Sequence, residues 1–343
     1  MTDSQKRIPL TLLTGFLGSG KTTLLSRYLQ STNAADTAVI INEYGAVQID
    51  GDLVTFAADT TDVRTTTGCL CCTISGDVKE ALLELAQGTM TSGQPGFTHL
   101  IIETTGLADP VSLFHAITTD AEICEFYEHS RTVTLIDAVH GENYFERHAE
   151  CRQQIALADT IVLTKTDLIN DPVSQRETDT FISVLRKFNP EADICSSASV
   201  NVEDLFKATK SDTMVRNLGF HPSSKHNFED QHHHHGVNSF TVSFDQKVDC
   251  ATLKLRLESL SRSYGADLLR IKGMVHAESP DGEIMVMVQC VGSLIQFEEM
   301  QALPSRIKSQ LVFITNALSH EEAQEHLGLP SFLPQDKIAL AIQ

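Results

Sequence analysis

The chain has 343 residues, 41% of them hydrophobic, and its 45 acidic against 26 basic residues give a net charge of −19. A length beyond about 250–300 residues predicts two domains, because a single hydrophobic core rarely grows larger. The negative charge disfavours non-specific nucleic-acid binding, which depends on Lys and Arg, and so argues against helicases, DNA-translocating ATPases and RNA-binding GTPases.

The first predicted elements are a strand and a helix joined by a glycine-rich loop. Residues 8–13 form a short apolar run suited to a buried parallel strand, and residues 22–29 have the pattern of a helix. Between them, residues 15–22 read GFLGSGKT and fit the phosphate-loop pattern GxxxxGK followed by Ser or Thr. A helix N-terminus at such a loop attracts phosphate groups. The sequence therefore predicts a bound nucleoside triphosphate.

The residue types within this loop have expected roles. Lys21 should reach the β- and γ-phosphates, and Thr22 should hold Mg²⁺ through its hydroxyl. Glycines allow successive backbone N–H groups to turn inward around the anion. The other residues expected to contact the nucleotide are Gly15, Gly18, Ser19, Gly20 and Thr23.

A second buried strand is predicted at residues 38–41, and it runs into the polar sequence NEYG at residues 42–45. In open α/β sheets, ligands bind at the carboxyl ends of parallel strands. We therefore expect this polar sequence to lie near the ligand.

Residues 68–72 read GCLCC, so three of the 8 cysteines, Cys69, Cys71 and Cys72, fall within four consecutive residues. Thiolates this close together suit a soft or borderline cation such as Zn²⁺, Cu⁺ or Co²⁺. Three thiolates leave a fourth tetrahedral position for a partner, water or an exchanging chelator. Two other interpretations stay open: a redox pair, since Cys69 and Cys72 match C-x-x-C, and burial as small apolar residues.

Further strands and helices alternate after the cysteines. A helix is predicted from residue 78, and strands are predicted at residues 98–102, 132–137 and 160–167 with helical segments between them. Such alternation is typical of a parallel α/β sheet. We therefore predict an α/β fold of the P-loop NTPase type over residues 1–215, a parallel sheet with helices on both faces.

The composition changes near residue 215. Residues 216–237 are polar and include His221, His226 and the run at 232–235, which together are 6 of the 14 histidines. Histidine-rich tracts bind divalent metals weakly. A solvated linker that is merely rich in histidine is the alternative.

Residues 238–343 predict a small α+β domain, an antiparallel sheet with helices on one face. Strands are expected at residues 239–244, 267–274, 284–289 and 311–315, a helix at 249–263, and a capping box at 319–322. Arg270 and Lys272 are expected to be solvated strand residues rather than ligands.

The sequence indicates neither a membrane span nor a signal peptide. The longest apolar candidate, residues 284–295, is interrupted by polar residues and falls short of the 18 or more that a span needs. Residues 1–7 lead directly into the first strand, so no signal peptide fits. We therefore expect a cytoplasmic, reducing setting, in which clustered cysteines bind metal rather than form disulfides.

Together these segments resemble the CobW-type GTPases, relatives of the nickel-insertion GTPases that serve urease and hydrogenase. The resemblance covers nearly the whole chain and depends on ordered motifs at compatible spacing. The motifs are GFLGSGKT at 15–22, NEYG at 42–45, GCLCC at 68–72, ETTG at 103–106 with ADP at 108–110, TKTD at 164–167, the His-rich linker, and RIKG at 270–273. The resemblance implies GTP hydrolysis, metal binding and metal delivery.

The resemblance also implies roles for residues that follow the predicted strands. Glu103 would orient Mg²⁺ through water, and the backbone N–H of Gly106 would sense the γ-phosphate, as in switch loops that change after hydrolysis. Glu43 becomes a candidate either for the fourth ligand of the transferred metal or for part of the switch.

Residues 164–167 look like a guanine-reading motif. Asp167, beside Lys165, would accept hydrogen bonds from the ring N1–H and the exocyclic amine of guanine. Ser197 lies in SSA at residues 196–198, which resembles the second base-contacting loop of GTPases. Thr164 stands where the motif commonly has Asn, and this departure leaves the preference for GTP over ATP open.

The implied function is a GTP-hydrolysing metallochaperone that carries a divalent cation, with zinc as the first candidate and Co²⁺ as the other. Its partner would be an unidentified client metalloprotein, with neither nucleic acid nor a membrane involved, and the sequence is compatible with a homo-oligomer. Two alternatives stay open. One is a metal buffer whose affinity GTP sets without any client, and the other is a thiol redox switch at Cys69 and Cys72.

Overall fold

The structure is a computed structural model and describes residues 7–31, 36–43, 63–67, 76–91, 97–108, 110–207, 238–280, 282–291, 294–300 and 308–328. The chain divides into two compact units, Met1–Asn227 and Phe228–Gln343. The GCLCC motif and the His-rich linker both lie outside the described residues. None of the helices that are described is long and apolar enough to cross a membrane.

Parallel strands form the central sheet of the first unit. Within the described residues the strands are β1 Ile8–Gly15, β2 Thr37–Glu43, β3 Val63–Thr67, β4 His99–Glu103, β5 Tyr127–Asp137, β6 Thr160–Thr164 and β7 Asp193–Ser196. They lie side by side in the order β3-β2-β4-β1-β5-β6-β7, and every neighbouring pair is parallel.

Helices connect these strands and cover both faces of the sheet. They are α1 Lys21–Leu29, α2 Gly76–Thr91, α3 Pro110–Thr119, α4 Ala121–Phe126, α5 Gly141–Arg147, α6 Ala149–Leu157, α7 Pro172–Phe188 and α8 Val202–Phe206. Successive strand residues face opposite sides. Accordingly, Leu12 belongs to a buried cluster with Leu82 of α2, and its neighbour Leu13 to another with Leu25 of α1. This arrangement confirms the predicted fold class.

Two strands of this sheet, β3 and β7, have no counterpart among the predicted elements. Both lie at an edge of the sheet, and their sequences, VRTTT and DICS, are short and largely polar. An edge strand does not need the continuous apolar run that marks a parallel strand buried on both faces. Hydrophobic periodicity therefore could not locate them.

The second unit is a mainly antiparallel sheet with helices packed on it. Its described elements are β8 Asn238–Phe244, β9 Val248–Asp249, α9 Cys250–Tyr264, β10 Leu268–Ser279, β11 Gly282–Val291, β12 Leu294–Met300, β13 Ser309–Thr315 and α10 His320–His326. The strand order is β12-β11-β10-β13-β8, with β9 added in parallel to β10. The predicted capping box is present: the Ser319 and Glu322 side chains each accept from the other residue's backbone N–H.

The expectation that Arg270 and Lys272 are solvated is wrong. Their exposed fractions are only 2% and 7%. Both lie on β10, an interior strand between β11 and β13 in which every residue from Leu268 to Val275 is buried. Alternation of charged and apolar residues predicts a solvated face only where one side of the sheet meets water.

A buried histidine links two central strands of the first unit. Nε2 of His99 in β4 lies 2.9 Å from Oγ1 of Thr11 in β1. Burial lowers the pKa of His99 to about 4, because the charged ring would lose its hydration. In the unfolded chain the pKa is about 6.5, so the unfolded chain binds this proton more tightly. Stability therefore falls as the pH drops from about 6.5 towards 4.

We expect His99 alone to lower the free energy of unfolding by about 1 kcal/mol between pH 7.5 and pH 5.5. His99→Gln, which does not titrate, should remove this part of the pH dependence. Urea unfolding at both pH values measures it. His115 is exposed and provides the control, because His115→Gln should keep the wild-type dependence. The same pH dependence in His99→Gln and wild type would contradict the assignment.

Candidate functional site

Parallel pairing brings the carboxyl ends of the strands to one edge of the sheet. Glu103, the last residue of β4, pairs with Leu13 of β1 and with Ile41 of β2. The backbone of Glu43, at the end of β2, pairs with Thr67, at the end of β3. The side chain of Glu43 lies outside the described part of the chain. The predicted site residues come from distant segments of the chain, but the strands that carry or precede them therefore end at the same edge of the sheet.

The loop between β1 and α1 has a backbone conformation that depends on glycine. Gly15, Gly18 and Gly20 have φ angles of +143°, +69° and +90°, where other residues are strained. A Cβ atom on Gly15 would also lie 2.4 Å from the backbone oxygen of Leu135. α1 begins at Lys21, directly after the loop, and presents the N-terminal N–H groups of the helix to it. This geometry suits an anion.

The Lys21 side chain is buried and folds back on the same loop. Its Nζ donates to the carbonyl oxygens of Gly15, at 2.8 Å, and Phe16, at 3.3 Å. These neutral carbonyl groups hold the ammonium beside the loop without cancelling its charge. A phosphate bound there would therefore meet a fixed cation.

The two side chains predicted to serve Mg²⁺ are in contact, although 81 residues separate them. The Thr22 hydroxyl, at the start of α1, donates to Oε1 of Glu103 at 2.8 Å. Glu103 is 4% exposed, so its carboxylate is held at the end of β4 and not in open solvent. A hydroxyl and a carboxylate are oxygen donors of the kind that Mg²⁺ takes. The pair therefore fits a magnesium ion.

The loop after β4 packs directly on the phosphate loop. The Thr104 N–H donates to the carbonyl of Leu13 at 2.9 Å, and the Thr104 hydroxyl donates to Oγ1 of Thr14 at 2.8 Å. A Cβ atom on Gly106 would lie 2.6 Å from the backbone nitrogen of Leu17. Only glycine allows this approach. A change in the conformation of the loop after β4 would therefore alter its contact with the phosphate loop.

Thr164, the residue that departs from the guanine motif, faces the phosphate loop. It is buried at the end of β6, and its hydroxyl donates to the carbonyl of Ser19 at 2.7 Å and to that of Ile136 at 3.2 Å. Its hydroxyl therefore joins the ends of two strands to the phosphate loop. This contact indicates a structural role for Thr164 in the loop and not one in reading a base.

Lys165 is held by a residue that the sequence analysis missed. Its ammonium lies 2.7 Å from Oδ2 of buried Asp137, at the end of β5, and its φ of +58° is left-handed. Burial alone would raise the pKa of Asp137, but the Lys165 ammonium and the N–H groups of Val139 and His140 lower it. Asp137 therefore stays ionised and fixes Lys165. The sequence signal that could have identified Asp137 is its position at the end of a predicted strand.

Asp167 and Ser197 belong to neighbouring loops. Asp167 is exposed in a short 3₁₀ turn, Thr166–Leu168, and the Thr166 hydroxyl lies 3.0 Å from Oγ of Ser196. The Ser197 carbonyl accepts a hydrogen bond of 2.9 Å from Arg27 of α1. The structure thus brings the predicted base-contacting residues together at the end of the helix that starts at the phosphate loop. Arg27 is a second residue that the sequence analysis missed.

The cysteines that the structure describes are poor candidates for metal binding. Burial raises the pKa of Cys151 and Cys290 to about 12 and of Cys195 to about 11, and it also raises the pKa of Cys124 and Cys250. Such thiols do not readily form the thiolate that binds metal. Among the described residues, no group of three or more His, Cys, Asp or Glu side chains could hold a metal ion.

Two family models match the chain. The model "CobW/HypB/UreG, nucleotide-binding domain" matches residues 9–196. The model "Cobalamin synthesis protein cobW C-terminal domain" matches residues 237–328.

Individual proteins are similar over most of the chain. Zinc chaperone YjiA of Escherichia coli (strain K12) is 31% identical over 280 residues, which cover 81% of this chain and 85% of that protein. Zinc chaperone CobW of a Sinorhizobium species is 30% identical over 327 residues, covering 85% and 87%. The crystal structure of Zn(II)-bound YjiA GTPase from E. coli superposes with a TM-score of 0.68 at 26% identity, covering 95% of this chain and all of that one.

Thr164→Val should weaken binding of GTP and GDP by a similar factor, about 3- to 10-fold, because the phosphate loop loses a hydrogen-bond donor. The ratio of GTP to ATP affinity should stay at the wild-type value. Titration with fluorescent nucleotides measures both. Thr160→Val, at the other end of β6, is the matched control and should bind nucleotide normally. Loss of discrimination against ATP without loss of GDP affinity would contradict this role.

Proposed function

This chain belongs to the CobW family of GTPases, and we propose that it binds zinc at its cysteine motif and transfers the metal to a client protein. As a member of the family it hydrolyses GTP to GDP and phosphate. The family resemblance stated from the motifs is thereby confirmed. We propose the roles of the individual site residues, the identity of the metal ligands and the transfer of the metal.

The main support for this proposal is the register of β3, β2 and β4 at the carboxyl edge of the sheet. β3 ends at Thr67, so the GCLCC motif at residues 68–72 begins at its carboxyl end. β2 separates β3 from β4, which ends at Glu103. Neighbouring strands lie about 4.8 Å apart, and Thr67 pairs with Glu43, two residues beyond the Ile41 that pairs with Glu103, so the ends of β3 and β4 lie about 12 Å apart. This closeness supports a metal site beside the nucleotide.

Ligand chemistry favours Cys69, Cys71 and Cys72 as the zinc ligands. Zn²⁺ is bound by thiolates in tetrahedral sites, and a site with three protein ligands keeps one position for exchange. Glu43 is the candidate for the fourth position, and a ligand from the client would replace it during transfer. The names of the E. coli and Sinorhizobium relatives, both zinc chaperones, support zinc. Co²⁺ binds such sites less tightly than Zn²⁺.

GTP hydrolysis requires the γ-phosphate to be held while negative charge develops on it. In our proposal Lys21 supplies positive charge, and the Gly106 N–H donates to the γ-phosphate. Thr22 and Glu103 would hold Mg²⁺, which when bound supplies further positive charge at the phosphates.

Asp167 would select guanine, because its carboxylate would accept hydrogen bonds from the N1–H and the 2-amino group of guanine, and adenine has neither of these donors. Lys165 would lie beside the base, held there by Asp137. Ser197 would complete the base site from the neighbouring loop.

Nucleotide and metal would be coupled through the shared edge. The loop of residues 104–108 follows β4 and contacts the phosphate loop through Gly106 and Leu17, and β2 lies between β4 and β3, the strand that precedes the cysteine motif in the sequence. We propose that γ-phosphate binding brings the thiolates together and that hydrolysis separates them. A coupling free energy of about 1–3 kcal/mol would change zinc affinity by about 5- to 150-fold.

The His-rich run at residues 232–235 would have a role different from that of the cysteine motif. Its composition suits a weak collector of divalent metal outside the tight site.

We expect a non-hydrolysable GTP analogue with Mg²⁺ to tighten zinc binding relative to Mg²⁺–GDP, measured by competition with a chromophoric chelator. Cys71→Ser should weaken zinc binding in both states by 100-fold or more, because a hydroxyl replaces neither the charge nor the softness of a thiolate. Cys124→Ser, which removes a half-buried thiol, should bind zinc as the wild type does. Equal zinc affinity in the two nucleotide states would contradict the coupling.

Lys21→Ala should abolish GTP turnover and, with it, GTP-dependent release of zinc to the chelator, while zinc affinity without nucleotide stays unchanged. Lys187→Ala, an exposed lysine of α7, should release zinc at the wild-type rate. Zinc release that continues in Lys21→Ala would indicate a metal buffer. A reversible Cys69–Cys72 disulfide without stoichiometric zinc would indicate the redox switch.

A further inference from the structure

Helix α6 carries a fully buried amide that faces the loop of residues 104–108. Gln154 is 1% exposed and lies among the buried residues Cys151, Ile155 and Leu157. Its Nε2 donates to the carbonyl of Gly106 at 3.1 Å and, more weakly, to that of Ala108 at 3.4 Å. Both acceptors are carbonyl oxygens, so the NH₂ group must be the one that faces them.

Gln154 is itself held in place. The Thr134 hydroxyl of β5 donates to the backbone carbonyl of Gln154 at 2.8 Å, which ties this turn of α6 to the central sheet. The apolar neighbours of Gln154 in the helix are buried as well, so the helix cannot rotate without exposing them. The amide is thus presented from a rigid element, as a positioning group requires.

The two hydrogen bonds define the path of the loop. A held carbonyl also fixes the peptide plane to which it belongs, and Gln154 holds the planes that follow Gly106 and Ala108. The Gly106 N–H belongs to the preceding plane, which is joined to the held plane at the Gly106 Cα. Leu107, between them, is 51% exposed. On its other side Gly106 lies against Leu17 of the phosphate loop. The loop is therefore held between the phosphate loop and α6.

Packing of the core does not explain an amide here. A buried amide is unfavourable unless it is hydrogen-bonded, and Oε1 of Gln154 accepts no hydrogen bond from the described residues. An apolar side chain of the same length would avoid that penalty, but it would leave the carbonyls of Gly106 and Ala108 without this donor. The contribution of the amide is therefore its pair of hydrogen bonds to the loop.

We propose that Gln154 is a positioning residue for GTP hydrolysis, which keeps the Gly106 N–H directed at the γ-phosphate. This inference rests on the role proposed above for Gly106. It adds a residue on α6, outside the motifs that the sequence analysis identified, to the machinery of turnover.

Gln154→Met keeps the length of the side chain but has no donor, and we expect kcat to fall about 5- to 10-fold. The KM for GTP and the affinity for GDP should stay within about twofold, since only the γ-phosphate is affected. Gln153→Met, the adjacent and partly exposed residue of the same helix, is the matched control and should turn over normally. Thermal unfolding of each variant shows whether the fold is intact.

Gln154→Glu adds a readout that a packing role would not change. An ionised carboxylate cannot donate to either carbonyl, whereas a protonated one can donate its single O–H to one of them, and burial raises the pKa of a carboxyl group towards neutrality. The kcat of Gln154→Glu relative to wild type should therefore rise as the pH falls from 8 to 6, and that of Gln154→Met should not. If Gln154→Met does not fold, the pH dependence of kcat in Gln154→Glu tests the proposal by itself.

Turnover of folded Gln154→Met within twofold of wild type would overturn the proposal. A loss of GDP affinity in Gln154→Met as large as its loss of kcat would also overturn it. So would a plot of kcat against pH for Gln154→Glu that runs parallel to that of the wild type. Gly106→Pro, which lacks the backbone N–H, distinguishes a failure of the role of Gly106 from a failure of the role of Gln154. Normal hydrolysis in Gly106→Pro would remove the role of Gly106 itself, whereas impaired hydrolysis there with normal Gln154→Met turnover would overturn only the role of Gln154.

Discussion

The register of β4 between β1 and β2 is the constraint on which the site depends. Glu103 pairs with Leu13 on one side and Ile41 on the other, and a slip of one residue would turn its carboxylate to the opposite face of the sheet. The bond from Thr22 would then be lost, and the loop after Glu103 would leave the phosphate loop. All five residues of β4 are buried, so such a slip would force side chains of different size into the packed layers on both faces of the sheet.

Local charge decides how an acidic chain can hold a triphosphate. The net charge of −19 would repel the ligand if the charges acted at long range, but salt screens exposed charges beyond about 8 Å. Within that distance the phosphate loop offers the ammonium of Lys21 and the N-terminus of α1. The charge of Lys165 is instead neutralised by Asp137. In the part of the chain that the structure describes, Lys21 and the N-terminus of α1 therefore supply positive charge where a phosphate group would bind.

The sequence predicted those features whose signal is local. Residues 15–22 need left-handed glycines and a following helix, and the pattern states both requirements directly. The buried strands of the first sheet have short continuous apolar runs, and the capping box at Ser319 spans only four residues. The edge strands β3 and β7 were missed because an edge needs no apolar run. Arg270 was misjudged because burial of both faces of β10 depends on its neighbours in the sheet.

By itself, the sequence determined the fold class, the family and the phosphate loop, because each depends on residue types at fixed spacing along the chain. Only the tertiary structure decided that Thr164 faces the carbonyl of Ser19, that Asp137 holds Lys165 and that Gln154 reaches the carbonyl of Gly106. These contacts join residues 28 to 145 positions apart. No local pattern encodes them, since they arise only when the strands pair in one register and the helices pack on the sheet.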